Sequence, residues 1–374
     1  MLPNQRLSLL FLLFPSLFSQ LFPTFAPTKS RMIMTQQQLD ETFMRRCLQI
    51  ARGGQLTAKP NPSVGAVIVA ADGRIIGEGF TSAYGGPHAE VNAFASVRAE
   101  DEALLPGATI YVSLEPCSHW GHTPPCCDLI IRKGVRRCVC GCTDPFAQVQ
   151  GRGIERMRQA GIEVTVGVLR DACLASNRAF MTVNEHHRPF ILLKWAETAN
   201  HIVGHRPSAD AMVPMPADHE EASACHTPLR LSSPFTQMLV HRLRAHSDAI
   251  LVGRGTLQAD HPRLDVREWS GASPERLVLT SHPETVPEGF RAFADIPSAL
   301  AYLTDHHRQS LLVEGGPQTL QAFIDADLWD EIRVETAPFT VADGVVAPLL
   351  PTTAVLHSTE TYDGRVIRHY GRAL

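Results

Sequence analysis

Residues 88–142 carry the clearest alternation of helix and strand patterns in the chain and read HAEVNAFASVRAEDEALLPGATIYVSLEPCSHWGHTPPCCDLIIRKGVRRCVCGC. A helical pattern begins near His88, and strand patterns follow at Thr109–Leu114 and Val135–Cys140 with a helix between them at Cys127–Lys133. Strands that alternate with helices of this length are typical of a mixed or mostly parallel sheet covered on both faces. The segment therefore predicts an α/β domain.

The same alternation continues on both sides of this segment. Upstream, apolar residues at helical spacing and a pair of strand patterns around an Asp-Gly turn predict a helix followed by a β-hairpin. The predicted flanking elements are helix Leu39–Ile50, strands Val64–Val69 and Arg74–Phe80, helix Ile154–Ala160 and strand Val164–Val168.

A second α/β series follows a polar stretch at 179–188, which we interpret as a linker without secondary structure. A stretch without periodicity at Val203–Leu229 predicts a long loop. The predicted elements are strands Phe190–Trp195, Ala249–Val252, Arg276–Leu279, Ser310–Val313 and Glu331–Thr336, and helices Pro234–Ala245, Pro297–Tyr302 and Pro317–Asp325. We therefore expect two α/β domains, at 34–178 and 189–374.

Composition limits the class of protein. The chain has 374 residues, of which 44% are hydrophobic and 19% charged, so a disordered or fibrous protein is excluded. The formal net charge is −4, and we find no basic patch that a nucleic acid would need. These properties favour a globular protein with a small-molecule partner and no nucleic-acid partner.

Cysteine usage indicates a reducing compartment. The nine cysteines are an odd number and cluster between Cys117 and Cys142, which suits reduced thiols and metal binding better than a secreted disulfide framework. Cys138 and Cys140 alternate with Cys142 along one predicted strand, so we expect them to be buried rather than to form a second metal site. The predicted location is the cytoplasm.

The N-terminal 33 residues contain an apolar run at Leu7–Phe25 that resembles a signal peptide. Pro15 and Pro23 interrupt the run, and no small-residue cleavage site follows. We favour a disordered or non-native extension read from an upstream start codon; a targeting segment and a membrane anchor stay open as alternatives. We expect no membrane association of the mature protein.

Three residues in the 88–142 segment form a candidate zinc site: His88, Cys117 and Cys126. Each motif lies where a helix is expected to begin, and the positive end of a helix favours a thiolate. Three protein ligands with a fourth position for water are the arrangement of a catalytic zinc site. His119 or His122 could replace one cysteine, and this alternative stays open.

Glu90 lies two residues after the first candidate ligand and is the expected proton shuttle. Zinc lowers the pKa of bound water from about 15.7 to about 7, which makes hydrolytic attack possible at neutral pH. A His-x-Glu motif with a Pro-Cys motif is the signature of zinc deaminases, in which a glutamate transfers protons. Here the second cysteine lies nine positions after the first rather than three.

The wider spacing, in the string Pro-Cys-Ser-His-x-Gly-x-Thr-Pro-Pro-Cys at 116–126, resembles the bifunctional riboflavin-biosynthesis deaminase/reductase family. The segment Asn61-Pro62-Ser63-Val64-Gly65 is similar to the substrate loop of that family. The resemblance implies a cytidine-deaminase-like three-layer α/β/α first domain, a dihydrofolate-reductase-like α/β second domain, one Zn²⁺ per chain, and a hydrogen bond from Asn61 to a pyrimidine.

The second half also resembles this family, through the segment 241–264. The resemblance implies that a phosphorylated substrate is held by Arg244, Leu264, Arg267 and Glu314. It implies that NADPH is bound by Ala196, Thr256, Asp260 and Gly316. Val313–Pro317 ends a strand in glycines and opens a helix, but it lacks the spacing of a Rossmann fingerprint.

The implied activity is zinc-dependent deamination of a phosphoribosylated diaminopyrimidinone, followed by NADPH-dependent reduction of its ribosyl group to ribityl. The resemblance also leads us to expect a homo-oligomer formed through the reductase domain. Thr81 and His122 depart from the family in the expected phosphate environment, and Asn200, His201 and Arg230 depart from it in the second half.

Three other functions stay open. The departures in the second half suggest a deaminase whose second domain is only a dimerisation scaffold. A nucleic-acid deaminase predicts a basic channel lined with aromatic residues, against which the net charge and the 7% of aromatic residues argue. A zinc-binding module without activity predicts that Glu90 is dispensable.

Overall fold

The computed structural model describes residues 34–120, 124–145, 151–205 and 229–372. The predicted N-terminal extension, His122 and most of the predicted loop at Val203–Leu229 lie outside these residues. The chain divides into compact units at Met1–Leu39 and Asp40–Leu374, and only 34–39 of the first are described. None of the helices in the described part combines the length and apolarity that a bilayer span requires.

The first half of the chain builds a five-stranded sheet. Its strands are β1 (Gly65–Val69), β2 (Ile75–Phe80), β3 (Thr109–Leu114), β4 (Arg137–Cys142) and β5 (Glu163–Val166). Their order is β2-β1-β3-β4-β5, in which β1 runs antiparallel to β2 and β3, while β3, β4 and β5 are parallel. The helices are α1 (Gln36–Ala51), α2 (Ala89–Ala95), α3 (Cys126–Lys133), α4 (Arg152–Gln159), α5 (Arg170–Ser176) and α6 (Arg178–His186).

The core of this half lies along the central strands. Every residue of β1 is buried, which agrees with its continuous apolar sequence, because a central strand is covered on both faces. Cys138, Cys140 and Cys142 of β4 are buried as predicted, and the Sγ atoms of the first two lie 3.8 Å apart.

The prediction of an irregular segment at 179–188 is wrong, because α6 continues to His186. The segment is short and polar, so its helical period is weak. Phe180 and Val183 are spaced three residues apart and mark its apolar side. The helix ends before Pro189, as expected for the residues that precede a proline.

The second half builds an eight-stranded sheet and a small two-stranded one. The strands are β6 (Phe190–Glu197), β7 (Ile202–Gly204), β8 (Ala249–Gly253), β9 (Glu275–Leu279), β10 (Phe290–Phe293), β11 (Ser310–Val313), β12 (Glu331–Thr336), β13 (Val345–Val346), β14 (Ala354–Tyr362) and β15 (Arg365–Arg372). The helices are α7 (Pro234–His246), α8 (Arg254–Asp260), α9 (Ile296–Asp305) and α10 (Pro317–Asp325).

The large sheet has the order β10-β9-β8-β11-β6-β12-β15-β14. It is parallel from β10 to β12, and the C-terminal hairpin β14–β15 joins it antiparallel to β12. β7 pairs with β13, so the predicted loop begins with a strand. Short α8 and the strands β7, β10, β13, β14 and β15 are additions to the predicted elements of this half.

Alternate residues of β6 enter two different cores. Ile191 and Leu193 belong to one apolar cluster, whereas Phe190 and Leu192 belong to another. Both faces of the strand are therefore covered, which is why its sequence is a continuous apolar run. The prediction of an α/β fold for both halves is confirmed by these two mixed sheets and their helices.

Asp248 lies where the two sheets approach each other. Its Oδ2 accepts hydrogen bonds from the backbone N–H groups of Gln309 and Ser310 at 2.8 and 3.0 Å, and its Oδ1 lies 2.8 Å from Lys59 Nζ. The Gln309 amide in turn donates to the carbonyl of Pro60 at 2.7 Å. One carboxylate thus connects the loop before β1 to the start of β11.

We predict that Asp248→Ala lowers the free energy of unfolding by about 2–4 kcal/mol, because it removes the ion pair with Lys59 and leaves two backbone N–H groups without their acceptor. Urea unfolding followed by tryptophan fluorescence measures the loss. The exposed Asp305 on α9 provides a control, and Asp305→Ala should change stability by less than about 0.5 kcal/mol. Equal stability of the two variants would contradict the role given to Asp248.

Candidate active site

His88 and Glu90 lie at the start of α2. His88 immediately precedes the helix in an extended conformation, and Glu90 occupies the first helical turn. Glu90 is only 4% exposed although it is a carboxylic acid. A buried carboxyl group without a structural ion pair is typical of a functional position.

The two candidate cysteine ligands come from other segments of the chain and lie close to His88. Cys117 follows the end of β3, and Cys126 is the first residue of α3. His88 Nδ1 lies 3.6 Å from Cys117 Sγ and 3.4 Å from Cys126 Sγ. The backbone N–H of Cys126 donates to Cys117 Sγ at 3.3 Å, as expected for a thiolate at a helix N-terminus.

These three side chains fit a zinc ion. Their donor atoms all lie within 4.8 Å of one another. Zn–N bonds of about 2.05 Å and Zn–S bonds of about 2.3 Å place nitrogen and sulfur about 3.5 Å apart on a tetrahedron. The two observed nitrogen–sulfur distances match that separation, and one imidazole with two thiols is a donor set that zinc prefers.

The charges in this cluster are strongly coupled. Hydrogen bonds from Cys126 and His88 lower the pKa of Cys117 to about 4. The hydrogen bond to Cys117, together with burial, raises the pKa of Cys126. Burial and the charge of Cys117 raise the pKa of Glu90 to about 7. Cys117 is therefore a thiolate at neutral pH, and Glu90 can both accept and release a proton.

Glu115 fixes the segment that carries Cys117. It is 3% exposed, and its carboxylate accepts backbone N–H groups from Gly153 at 3.1 Å and Gly151 at 3.0 Å, at the start of α4. Two further N–H groups, of Ile154 and Asp144, donate to it at 3.4 and 3.3 Å. The α4 N-terminus thus clamps the end of β3 through an acid that the motif analysis left without a role.

His88, Cys117 and Glu90 line a cavity of about 390 Å³, a size typical of small-ligand sites, and Cys126 lies behind them in contact with His88 and Cys117. Asn61, the predicted pyrimidine ligand, lines the same cavity. So do Phe180, Val183 and Asn184 of α6, and Gln309 from the second sheet. Motifs could not identify these four residues as part of the site, because their placement depends on contacts between distant parts of the chain.

Thr81 and His119 also line this cavity. Thr81 is buried, and its hydroxyl oxygen accepts the backbone N–H of Val64 at 2.9 Å, so it has a structural role beside the substrate loop. The compact donor cluster found in the described residues contains His88 and both cysteines but not His119. His122, the other alternative ligand, lies outside the described residues.

Four residues predicted to hold substrate in the second half form one network. Arg244 makes a two-point ion pair with Glu314, at 3.0 and 2.8 Å, and donates to the carbonyl of Asp265 at 3.3 Å. Arg267 donates to the Asp265 carboxylate at 2.6 Å, and Leu264 is buried just before this acid. Burial opposes the charge on Arg244, but the Glu314 carboxylate raises its pKa overall.

Lys194 faces the same network from β6, and motif analysis gave it no role. Burial lowers its pKa although the Glu314 carboxylate favours the charged form. Lys194 therefore places an amine beside the predicted substrate residues.

The predicted cofactor residues lie where three strands end. Gly316 precedes α10, Thr256 is in the first turn of α8, and Ala196 is near the end of β6. A Cβ atom on Gly316 would lie 3.0 Å from Thr256 Oγ1, and one on Gly253 would lie 2.3 Å from Thr319 Oγ1. Two helix N-termini therefore meet at glycines, a geometry that suits a pyrophosphate. Asp260 is exposed at the far end of α8.

Asn200 and His201 form the turn between β6 and β7. Asn200 accepts the Thr198 hydroxyl at 2.8 Å and donates to the carbonyl of Val341 at 2.8 Å. His201 has φ = 62°, a conformation that glycine adopts more easily, and its Nδ1 lies 2.8 Å from Glu197 Oε1. Arg230 is exposed. The departures from the family at Asn200 and His201 are therefore accommodated by the hydrogen bonds of these two side chains.

Comparisons with known proteins agree with this arrangement. Residues 37–142 match the family model of the cytidine and deoxycytidylate deaminase zinc-binding region. Residues 207–359 match the family model of the RibD C-terminal domain.

Full-length relatives decide the family. The chain is 33% identical over 342 residues to the riboflavin biosynthesis protein RibD of Aquifex aeolicus, covering 83% of this chain and 90% of the relative. It is 34% identical over 380 residues to RibD of Escherichia coli, covering 89% of this chain and 97% of the relative. The chain belongs to the RibD family.

Solved structures of RibD-family proteins are similar over most of the chain. A diaminohydroxyphosphoribosylaminopyrimidine deaminase/5-amino-6-(5-phosphoribosylamino)uracil reductase from Thermotoga maritima superposes with a TM-score of 0.77 at 31% identity, covering 91% of this chain and 100% of the other. RibD of Acinetobacter baumannii gives 0.74 at 27% identity, covering 90% of this chain and all of the other.

The protein is therefore a bifunctional deaminase and reductase of riboflavin biosynthesis, with a zinc-binding deaminase domain followed by a reductase domain. The alternative of a deaminase with a merely structural second domain is not favoured. The family resemblance that the motifs suggested is confirmed.

We predict that Glu115→Ala weakens zinc retention and lowers the free energy of unfolding by about 2–4 kcal/mol, because it leaves buried N–H groups at the start of α4 unpaired. Zinc per chain after dialysis against a weak chelator, and urea unfolding, measure the two effects. Glu155, exposed on the same helix, provides the matched control Glu155→Ala. Zinc content and stability equal to those of this control would contradict the clamp.

Proposed function

We propose that the first domain deaminates 2,5-diamino-6-(5-phosphoribosylamino)pyrimidin-4(3H)-one and that the second domain reduces the ribosyl group of the product with NADPH. The observation that carries this proposal is the cluster of His88, Cys117 and Cys126, of which His88 and Cys117 line one cavity together with Glu90 and Asn61. The name of the Thermotoga maritima enzyme supplies the substrate class.

In the deaminase step, we assign His88, Cys117 and Cys126 to one zinc ion per chain. Bound zinc acts as a Lewis acid and lowers the pKa of water. Glu90 accepts a proton from the attacking water and delivers it to the departing amine, so that the ring carbon exchanges an amino group for oxygen and ammonia leaves. Asn61 orients the pyrimidine by hydrogen bonds, and the burial of Glu90 keeps bulk water from its carboxyl group.

In the reductase step, we assign Arg244, Leu264, Arg267 and Glu314 to the phosphorylated substrate and Ala196, Thr256, Asp260 and Gly316 to NADPH. When bound, NADPH would supply a hydride for the ring-opened ribosyl carbon, and a proton from solvent would complete the reduction at the attached nitrogen to give the ribityl chain. Arg267 can hold the phosphate, since its side chain is exposed and paired only with acids beside it. The ion pair with Glu314 fixes the position of the Arg244 guanidinium.

We further propose domain boundaries at 34–178 and 189–374, and a location in the cytoplasm. The eight cysteines in the described part of the chain are all free, which suits a reducing compartment. We propose a homo-oligomer formed through the reductase domain. Its edge strand β14 exposes Val355 and Leu356, and an uncovered apolar edge strand favours pairing with a second copy.

The test follows ammonia release and NADPH oxidation separately on the diaminopyrimidinone phosphate. The wild-type enzyme should release ammonia without NADPH and should oxidise NADPH only after deamination. Glu90→Ala should retain zinc but lose ammonia release by a factor of 100 or more, an order of magnitude typical for removal of a general acid–base. Cys117→Ala should lose both zinc and ammonia release.

Each variant should still oxidise NADPH when it is given the deaminated intermediate, which makes this reaction the internal control for folding. Full ammonia release by Glu90→Ala would contradict the proton-transfer role. Failure of the wild-type enzyme to oxidise NADPH with the intermediate would contradict the reductase assignment and restore the scaffold alternative.

A further inference from the structure

A second cavity, of about 570 Å³, lies between the two sheets. One wall comes from the segment between α1 and β1 and from the start of α6. The other comes from the first residues of β6 and β11 and from the end of α7. None of the residues assigned above to the reductase site lines it. The cavity is large enough for part of a nucleotide-sized ligand.

This cavity is positively charged. Among the described residues, its lining contains no aspartate or glutamate but five basic side chains, namely Arg52, Lys59, Arg178, Arg242 and His246. A hollow lined by one sign of charge concentrates ions of the opposite sign.

Two of these cations are already paired, and two are available. Lys59 pairs with Asp248, and Arg178 pairs with Glu331 and lies over the Phe190 ring. No carboxylate in the described part of the chain forms an ion pair with Arg52 or Arg242, and both are exposed. Arg242 lies 5.8 Å from the centre of the Trp269 ring, which holds it near the cavity.

The pKa of His246 reflects the same positive charge. Burial lowers its pKa, and the charges of Lys59, Arg242 and Arg178 lower it further. The first turn of α6 also lines the cavity, at Arg178 and Ala179, so the positive end of a helix adds to the field.

The basic cavity adjoins the active-site cavity. Asn61, Pro62, Phe180 and Gln309 line both. Among the described residues, the active-site cavity has no lysine or arginine in its lining. It contains instead the candidate zinc ligands His88 and Cys117 and the acids Glu90, Glu115 and Asp144. A ligand with an uncharged ring and a dianionic phosphate therefore fits with its ring in the active-site cavity and its phosphate in the basic cavity.

We propose that the basic cavity holds the phosphate ester of the ligand whose ring enters the active-site cavity, with Arg242 and Arg52 as its phosphate-binding residues. This inference rests on the proposed deaminase substrate and adds a specificity site to it. Thr81, at a position where the family resemblance implies a phosphate environment, is occupied by the backbone of Val64. Arg52 and Arg242, on the two sides of the junction between the sheets, are placed to supply this charge, and His122, the other departure in this environment, lies outside the described residues.

The test compares deamination of the phosphorylated substrate with that of its dephosphorylated riboside. In Arg242→Ala, and more strongly in the double variant with Arg52→Ala, KM for the phosphorylated substrate should rise about tenfold or more, as expected for loss of a charge-assisted hydrogen bond. The preference for the phosphorylated substrate over the riboside should fall by the same factor. Arg242→Lys should restore part of it, because the charge returns.

Arg98 is an exposed arginine outside the cavity, and Arg98→Ala is the matched control. An unchanged KM and an unchanged substrate preference in the double variant would overturn the proposal. A fall in kcat on both substrates to the same extent would also overturn it, because that pattern indicates damage to the catalytic groups or the fold.

Binding of ribose 5-phosphate, measured by calorimetry with all proteins carrying Arg267→Ala to remove the proposed phosphate contact of the reductase site, tests the cavity without catalysis. The double variant should bind it about tenfold more weakly than the wild-type and Arg98→Ala proteins, and equal affinity would overturn the proposal. If the wild-type enzyme releases no ammonia, the proposed substrate fails, and this binding measurement alone decides the phosphate site.

Discussion

The active site depends on the approach of two helix beginnings to the end of one strand. His88 opens α2, Cys126 opens α3, and Cys117 lies three residues after the end of β3, so three donors from separate segments meet at one point. Burial of two thiols and a carboxyl group at one point has a large free-energy cost unless other groups compensate their negative charge. The backbone N–H at the start of α3 supplies part of that compensation, and a zinc ion held by the three donors would supply the rest.

The junction between the two sheets also shapes the active-site cavity. Gln309, at the start of β11, reaches the active-site cavity and also bonds to Pro60 beside the substrate loop. Asp248 holds the same strand start against Lys59. The reductase half therefore completes a wall of the deaminase cavity. This arrangement gives a physical reason for both halves to share one chain, besides their consecutive reactions.

Local patterns allowed the prediction of the fold class and of the residues that meet at the zinc site. The motifs at His88 and Cys117 each occupy a helix or strand end, and such ends can be recognised from neighbouring residues. The sequence could not predict α6, whose period is too short and too polar. It also could not predict the roles of Gln309, Glu115 and Asp248, because their partners lie far away in the chain. The predicted substrate residue Arg244 falls within the expected network, but its ion pair with Glu314 had no sequence signal.

The central claim is that one metal ion, held by His88, Cys117 and Cys126, is required for deamination. The most direct measurement is a titration of the metal-stripped enzyme with Zn²⁺ while ammonia release from the diaminopyrimidinone phosphate is followed. The account predicts no release without metal and a linear rise that reaches its plateau at one zinc per chain. Full ammonia release from the metal-free enzyme, or a plateau at two or more ions per chain, would contradict it.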